Sequence, residues 1–428
     1  MAPKRQYDIV VVGAGLAGLA GVIGLRGAGL HVAVVDSVAR IDGARMNWGH
    51  DLQPNGLAAL DALGLLEEVQ RRGAVHDAYR LERLGGGRLS HWDYAMLDHR
   101  FRYAVCIRTH VLRELLRETA RGLDFVDMRI PATFTALERT DRGHAVTIER
   151  GDGGTEDLHA RLVVAADGPR SRVREAAGIR ARFRRGRRHW LDVIMSNPDD
   201  RIRDGYVYLG RGEYLGLVPT RKGELVAFHL TSTPDLRAYK ERIGSIERFR
   251  KTYAAMAPVL EAAVPSVESW DQTSHTPGHS MRAERWVTDG LLLLGDSAVT
   301  VNPITSQGAC LALEEGVVLA DVLRDCFRKG DLSAAALAPY EARCRATAQQ
   351  MQEMGDTCTF VFGTRLRFLN WLKLRMLARI DDDPQMKYRI LAYFSGMEPA
   401  RIGYRDGLAA AGLWPRWRRL PRPASTAK

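Results

Sequence analysis

The chain opens with an apolar run, YDIVVV, then a glycine cluster, GAGLAG, an apolar stretch at helical spacing, and a second apolar run, HVAVV, closed by Asp36. Apolar runs bounded by glycine predict buried strands, so the segment reads strand, turn, helix, strand, the start of a doubly wound α/β unit. After Pro54 and Asn55, Leu57, Leu60, Leu63 and Leu66 recur at near-helical spacing and predict one amphipathic helix. From about 77 to 105 the pattern turns strand-like, with the glycines at 85–87 as a hairpin turn, and another helix follows Arg108. Residues 132–164 alternate apolar and polar positions, which predicts a small meander feeding a buried strand.

Residues 182–280 read as β-rich, with strands separated by glycine turns and one helix at about 245–263. The buried-strand pattern returns as GLLLL from Gly290, passes through GDSAVTVNPITSQGAC, and enters a helix expected from Gly308 to Cys326. Beyond Ala338 the pattern is helical. The expected architecture is therefore α/β: a discontinuous Rossmann-like unit of 1–76, 104–181 and 283–337, a β-rich unit of 77–103 and 182–282 inserted into it, and a helical region of 338–428. A ligand held by the outer pieces would face the inserted sheet.

At 428 residues the chain exceeds one ordinary core. Its 46% hydrophobic and 26% charged composition is that of a soluble globular protein. No apolar run reaches the ~20 residues of a membrane span. The start, MAPKRQYDIVVVGAGLAG, imitates a secretory signal, but Gly13, Gly15 and Gly18 interrupt its apolar run and the structural reading wins. Five cysteines without a CxxC pair suit a reducing cytoplasm. The net charge of +11 comes in part from Arg182, Arg184, Arg185, Arg187 and Arg188, and from Arg416, Arg418, Arg419 and Arg422 near the end. Such a cluster is ordinarily a solvated surface; it also admits a binding protein for nucleic acid or an acidic carrier as an alternative. The histidines show no HxH or HExxH spacing, so no metal site is expected.

Three glycine and acid motifs carry the chemistry. In Gly13-Ala14-Gly15-Leu16-Ala17-Gly18, between strand and helix, glycine permits a tight turn and backbone approach to a pyrophosphate, and Asp36 is placed to bond ribose hydroxyls. This fits an ADP-containing cofactor without separating NAD from FAD. The second is a buried strand ending in Asp167-Gly168, followed by Arg170 and Arg172. The third is a strand ending in Gly295-Asp296, then Pro303, then Gly308 at a helix start.

In this order the three motifs resemble the class A flavoprotein monooxygenases, the group that includes para-hydroxybenzoate hydroxylase and the ubiquinone-pathway hydroxylases. The resemblance spans roughly residues 6–330 and takes in GHDLQPNGLAALDALGL at 49–65 and CIRTHVLRELL at 106–116. It implies that the outer unit binds FAD and the inserted one faces substrate. Gly13, Gly15, Ala17, Gly18 and Asp36 would take the AMP half, Arg45 and Arg108 the pyrophosphate and ribityl chain, and Asp296 the ribityl or pyrophosphate region. Asp167 would serve FAD and a transient NADPH or NADH together. The backbone from Pro303 through Gly308 and Ala309 to Cys310 would lie beside the isoalloxazine, with the helix dipole at its N1/O2 edge. The chain departs from the family pattern at Val299, where His is common, at Ser306, for the first Gly of GQG, and at Cys310, for Asn. No second GxGxxG and no flavin-halogenase WxWxIP is present.

The activity so implied is hydroxylation or epoxidation of a small electron-rich substrate, aromatic, quinolone or polyketide-like, by O2 through a flavin C4a-hydroperoxide. A reductase or cyclase of the geranylgeranyl-reductase-like branch is the nearest rival. Tyr206, Tyr208, Tyr214, Phe228 and His229 lie on alternating strands of the inserted sheet, and alternation turns only some inward. His229 or Tyr214 could assist in deprotonating a phenolic substrate. In FVFGTRLRFLNWLKLRMLARI, Phe362, Leu366, Leu369, Leu372, Met376 and Ile380 follow helical spacing with Arg365 and Lys373 on or near the same face. That mixture favours a helix packed on the body over one lying on a membrane surface.

Overall fold

The computed structural model describes residues 6–41, 48–186, 188–233, 235–397, 410 and 412. Its first sheet is built on Gln6–Val12, which pairs in parallel with Val32–Val35 on one side and Thr155–Ala165 on the other. Leu291–Leu293 extends it beyond Thr155–Ala165, and Val126–Arg129 extends it beyond Val32–Val35, both parallel. The central strands are rich in Val, Ile and Leu, as burial on both faces requires, while the outer strand Val126–Arg129, VDMR, is only partly buried. The register sets Val12 beside Val35 and Ala165, and Ala165 beside Leu293. Four strands thus end together, and the loops that follow them, which carry all three motifs, emerge at one carboxyl edge. Ala132–Thr140 and Gly143–Arg150 form the meander that leads antiparallel into Thr155–Ala165.

The helices Leu16–Gly24 and Gly308–Lys329 cross closely over this sheet. A Cβ on Gly316 would lie 2.7 Å from both Ala20 Cβ and Gly21 N, so only glycine lets the backbones approach. The helix expected over 54–72 is two, Pro54–Ala62 and Leu66–Arg72, because Gly64 turns the chain at φ +74°.

The second sheet has seven strands in the order Thr273–Thr276, His189–Ser196, Glu224–Thr231, Tyr214–Arg221, Gly205–Leu209, Ala78–Arg83, Arg88–Asp93. Leu191, Val193, Leu215, Leu217 and Ala227 face one way, onto Tyr239, Phe249 and Tyr253 of the helices Leu236–Ile243 and Ile246–Met256. The helix expected at about 245–263 is thus shorter and has a companion before it. The opposite face, with Trp190, Asp192, Tyr214, Gly216, Val218 and Phe228, turns toward the carboxyl edge of the first sheet.

After Gly308–Lys329 come the helices Ala334–Phe362, Arg367–Asp381 and Pro384–Phe394. The run read as one helical pattern over 360–380 breaks at Gly363. Leu377 and Ile380 pack with Leu81, Leu89 and Trp92, so Arg367–Asp381 is docked on the body. Lys373 points inward, donating to the carbonyls of Gly210 at 2.8 Å and Phe362 at 3.4 Å, and burial lowers its pKa to about 8. Phe360, Leu366, Phe368 and Trp371 are exposed around the break. Among the described residues no helix is long and apolar enough to cross a membrane.

Candidate active site

A cavity of about 800 Å³ lies between the carboxyl edge of the first sheet and the open face of the second. At its glycine end, Gly13 adopts φ +112°, and a Cβ there would stand 2.1 Å from the carbonyl oxygen of Ala166. A Cβ on Gly18 would stand 2.2 Å from the carbonyl oxygen of Gly13. Gly15 differs: nothing lies within 4 Å of its Cβ position, so open space faces the backbone where the helix starts. Ala17 lines the cavity in the first turn of that helix.

Asp36 accepts from Ala14 N at 2.7 Å, Val38 N at 2.7 Å and Arg113 Nη2 at 3.1 Å, while Arg113 Nε donates to Ala14 O at 2.9 Å. The carboxylate therefore braces the glycine turn while it lines the cavity. Arg113, within the quoted CIRTHVLRELL, was not singled out from the sequence; five residues past Arg108, it is the arginine of that stretch that lines the cavity. Arg108 does not line it, and its guanidinium stands 3.2 Å from Glu224. Arg45 lies outside the described residues.

Asp167 Oδ2 accepts from the backbone nitrogens of Arg172 at 2.8 Å and Val173 at 3.1 Å, capping a short helix. Its Oδ1 is buried without a hydrogen-bond partner among the described residues, an acceptor that a bound donor would complete. Arg174 spans the gap between motifs, donating to Pro169 O at 3.0 Å and Ser297 O at 2.9 Å. Asp296 is exposed into the cavity. Beneath it, buried Glu315 accepts from Gly295 N at 2.8 Å; desolvation raises it to about 8, with the Gly295 bond opposing.

Pro303, Gly308 and Ala309 line the cavity at the start of the Gly308–Lys329 helix. Ser306 holds φ +54° and ψ 16°, the left-handed conformation that glycine adopts at least cost. Cys310 faces away: its Sγ accepts from Gln53 N at 3.3 Å and would crowd a Cβ on Gly56 at 2.7 Å. Val299 is buried in the core and pairs with Arg282. Of the three departures, only Ser306 lines the cavity.

On the sheet side, Tyr214 and Phe228 line the cavity, with Tyr214 edge-on to Trp190 at 5.5 Å and burial raising its phenol. Tyr206 and Tyr208 stack on each other and pack toward the opposite face. His229 is turned away by strand alternation. It meets Tyr253 Oη at 3.1 Å and Glu213 at 3.0 Å behind the sheet, so a proton-accepting role in this cavity does not fit its position. A group that sequence reading missed stands opposite. Asp51 and Tyr79 line the cavity, and Tyr79 Oη donates to Asp51, which also accepts from Gln53 Nε2 at 2.7 Å and lies 2.8 Å from His76 Nε2. Burial disfavours protonated His76, but the Asp51 carboxylate outweighs it and the net shift is upward. Asp192, also unforeseen, lines the cavity from the strand His189–Ser196.

Arg182, Arg184 and Arg185 lie exposed on the strand Ala181–Arg185, Arg184 pairing with Asp356 at 2.8 Å, whereas Arg188 turns inward to the carbonyls of Gly212 and Gly363. None lines the cavity. Arg187 is outside the described residues.

Residues 6–354 match the family model described as an FAD binding domain. The chain is 32% identical over 372 residues to 6-methylpretetramide 4-monooxygenase of Streptomyces rimosus, covering 82% of each. It is 26% identical to kynurenine 3-monooxygenase of Salinispora arenicola, over 95% of this chain and 91% of that one. Among solved structures, PqsL of Pseudomonas aeruginosa, a probable FAD-dependent monooxygenase, superposes with a TM-score of 0.74 at 26% identity, covering 85% of this chain and 98% of that chain. The glycine cradle, the orphaned Asp167 oxygen and the helix N-termini at one edge suit a dinucleotide such as FAD. The chain belongs to the FAD-binding-domain family of class A flavoprotein monooxygenases, and it is an FAD-dependent oxidoreductase.

Proposed function

We propose that the protein inserts one oxygen atom from O2, as a hydroxyl or an epoxide, into a small electron-rich aromatic compound, with NADPH or NADH as electron donor. The observation that carries this reading is that one cavity joins the loops of all three motifs to an aromatic wall bearing a buried polar group. Gly13, Gly15, Ala17, Gly18, Asp36 and Arg113 would hold the AMP half of FAD, Asp167 and Asp296 the middle, and the Pro303–Ala309 backbone the ring system. Bound FAD supplies the electron transfer and oxygen activation that no amino-acid side chain provides.

The chain's own residues orient the substrate and handle its protons. Trp190, Tyr214 and Phe228 give flat apolar contact to an aromatic ring and exclude water. Tyr79 Oη is one of the polar groups of the wall that a substrate hydroxyl could meet. A proton released there has a bonded path through Asp51 to His76, which is buried and raised in pKa by that carboxylate. The relatives' printed names, which include a pretetramide monooxygenase and an aklavinone hydroxylase, support a polycyclic aromatic substrate. The test is a screen of aromatic compounds for stimulated NAD(P)H oxidation, with product mass read out. Gain of one oxygen supports the proposal, and loss of a double bond without oxygen gain would point instead to a reductase.

A further inference from the structure

On the substrate side of the cavity the charges are one-sided. Two carboxyl groups, Asp51 and Asp192, line it, and among the described residues no lysine or arginine does. The arginines that do line the cavity belong to the cofactor loops: Arg113 is committed to Asp36 and Ala14, and Arg170 and Arg172 flank the segment after Asp167. Two histidines, His50 and His279, also line the cavity, and burial lowers His50 to about 4 and so holds it neutral.

Asp192 is 4% exposed and sits between Phe228 and Ser274 in the register of the sheet. Ser274 and Thr276 donate to the same oxygen, Oδ2, at 3.5 and 3.3 Å. No hydrogen bond among the described residues ends on Oδ1, the oxygen left for a ligand. A buried carboxyl so placed satisfies an N–H or O–H of a bound ring, and it repels a second carboxylate that finds no lysine or arginine among the described residues there.

Resting on the monooxygenase reading, we infer that the substrate is an uncharged aromatic hydrogen-bond donor, a phenol or ring N–H compound, that Asp192 Oδ1 receives that donor, and that aromatic carboxylates are rejected. The raised pKa of Asp192, about 7 through burial with Thr276 and Ser274 opposing, agrees with the absence of a lysine or arginine beside it among the described residues. With Asp192 either ionised or neutral, Oδ1 retains acceptor capacity, and a ligand carboxylate would still be buried without a lysine or arginine partner among the described residues.

The test titrates the FAD-loaded full chain with two matched pairs, naphthol against hydroxynaphthoate and quinolone against kynurenate, following the flavin absorbance. The neutral member of each pair is expected to bind about tenfold or more tightly than its carboxylate partner, the scale of one buried like-charge contact. Asp192→Asn, which keeps size and hydrogen bonding, should bring the two members of each pair closer together while FAD is retained. Carboxylates binding as tightly as the neutral probes, no flavin response to either neutral probe, or an unchanged ratio in Asp192→Asn would overturn the inference. Failure to bind FAD at all would instead strike the monooxygenase reading on which it rests.

Discussion

Arg113 and Asp36, 77 residues apart in sequence, meet at 3.1 Å and together clamp both backbone polar groups of Ala14 in the glycine turn. Both side chains are largely buried, so removing one leaves the other charge poorly compensated. Arg113→Ala is expected to weaken FAD binding by about tenfold or more, equivalent to ~1.4 kcal/mol. Fluorescence titration of the apoprotein with FAD measures this, and unchanged affinity would remove Arg113 from the cofactor site.

Asp167 divides its oxygens between a helix cap and an empty acceptor position. Asp167→Ala loses both, and the lost cap alone costs about 1 kcal/mol. Asp167→Asn can keep the cap, so its flavin should be retained while stopped-flow reduction by NAD(P)H slows. Equal loss of flavin and reduction rate in Asp167→Asn would mark the residue as structural.

Gly15 stands before open space at the start of a helix. A valine there would fold without a clash yet fill the approach to the backbone, so Gly15→Val should give a colourless, folded protein. Retention of yellow colour would contradict the assignment of the pyrophosphate to this turn.

Glu315 couples the stability of the fold to pH. Its carboxyl is raised from 4.5 to about 8, so the folded state holds the proton more tightly than the unfolded chain does. The contribution to stability is full below pH 4.5 and is lost as pH rises through about 8. Glu315→Gln can keep the bond from Gly295 N and removes this loss. The melting temperature of the wild type should therefore fall relative to Glu315→Gln between those limits, and parallel curves would show that Glu315 is not raised.

Ser306, at φ +54°, holds a conformation costing a β-carbon-bearing residue about 1 kcal/mol. Ser306→Gly should raise the melting temperature slightly, offset in part by the greater freedom of glycine when unfolded. Calorimetry decides, and a clear destabilisation would mean that the Ser306 side chain contributes contacts exceeding the backbone cost.

What the sequence made legible was local. Strand ends followed by glycine and an acid are read from a few adjacent residues, and the parallel register then brings Gly13, Asp36, Asp167 and Asp296 to one edge. What it hid depends on partners far along the chain. Phe228 and His229 are adjacent aromatic candidates, and only the packing of Tyr239 and Tyr253 decides which one faces the cavity. Asp51 lies within the GHDLQPNGLAALDALGL stretch, but His76 and Tyr79, 25 and 28 residues after it, belong to no motif, and only the fold brings them to it. Asp192 shows itself as an acid inside an apolar strand, HWLDVIMS, a pattern that is costly unless the acid has work to do. The break at Gly363 escaped the helical periodicity because apolar spacing continues across it.

Incubating the purified protein with NAD(P)H, isotopically labelled oxygen gas and an aromatic substrate that stimulates NAD(P)H oxidation decides whether it is a monooxygenase. The expected result is a yellow protein carrying FAD and a product bearing one labelled oxygen atom. A protein that cannot be loaded with FAD, or a product formed without label, would contradict it.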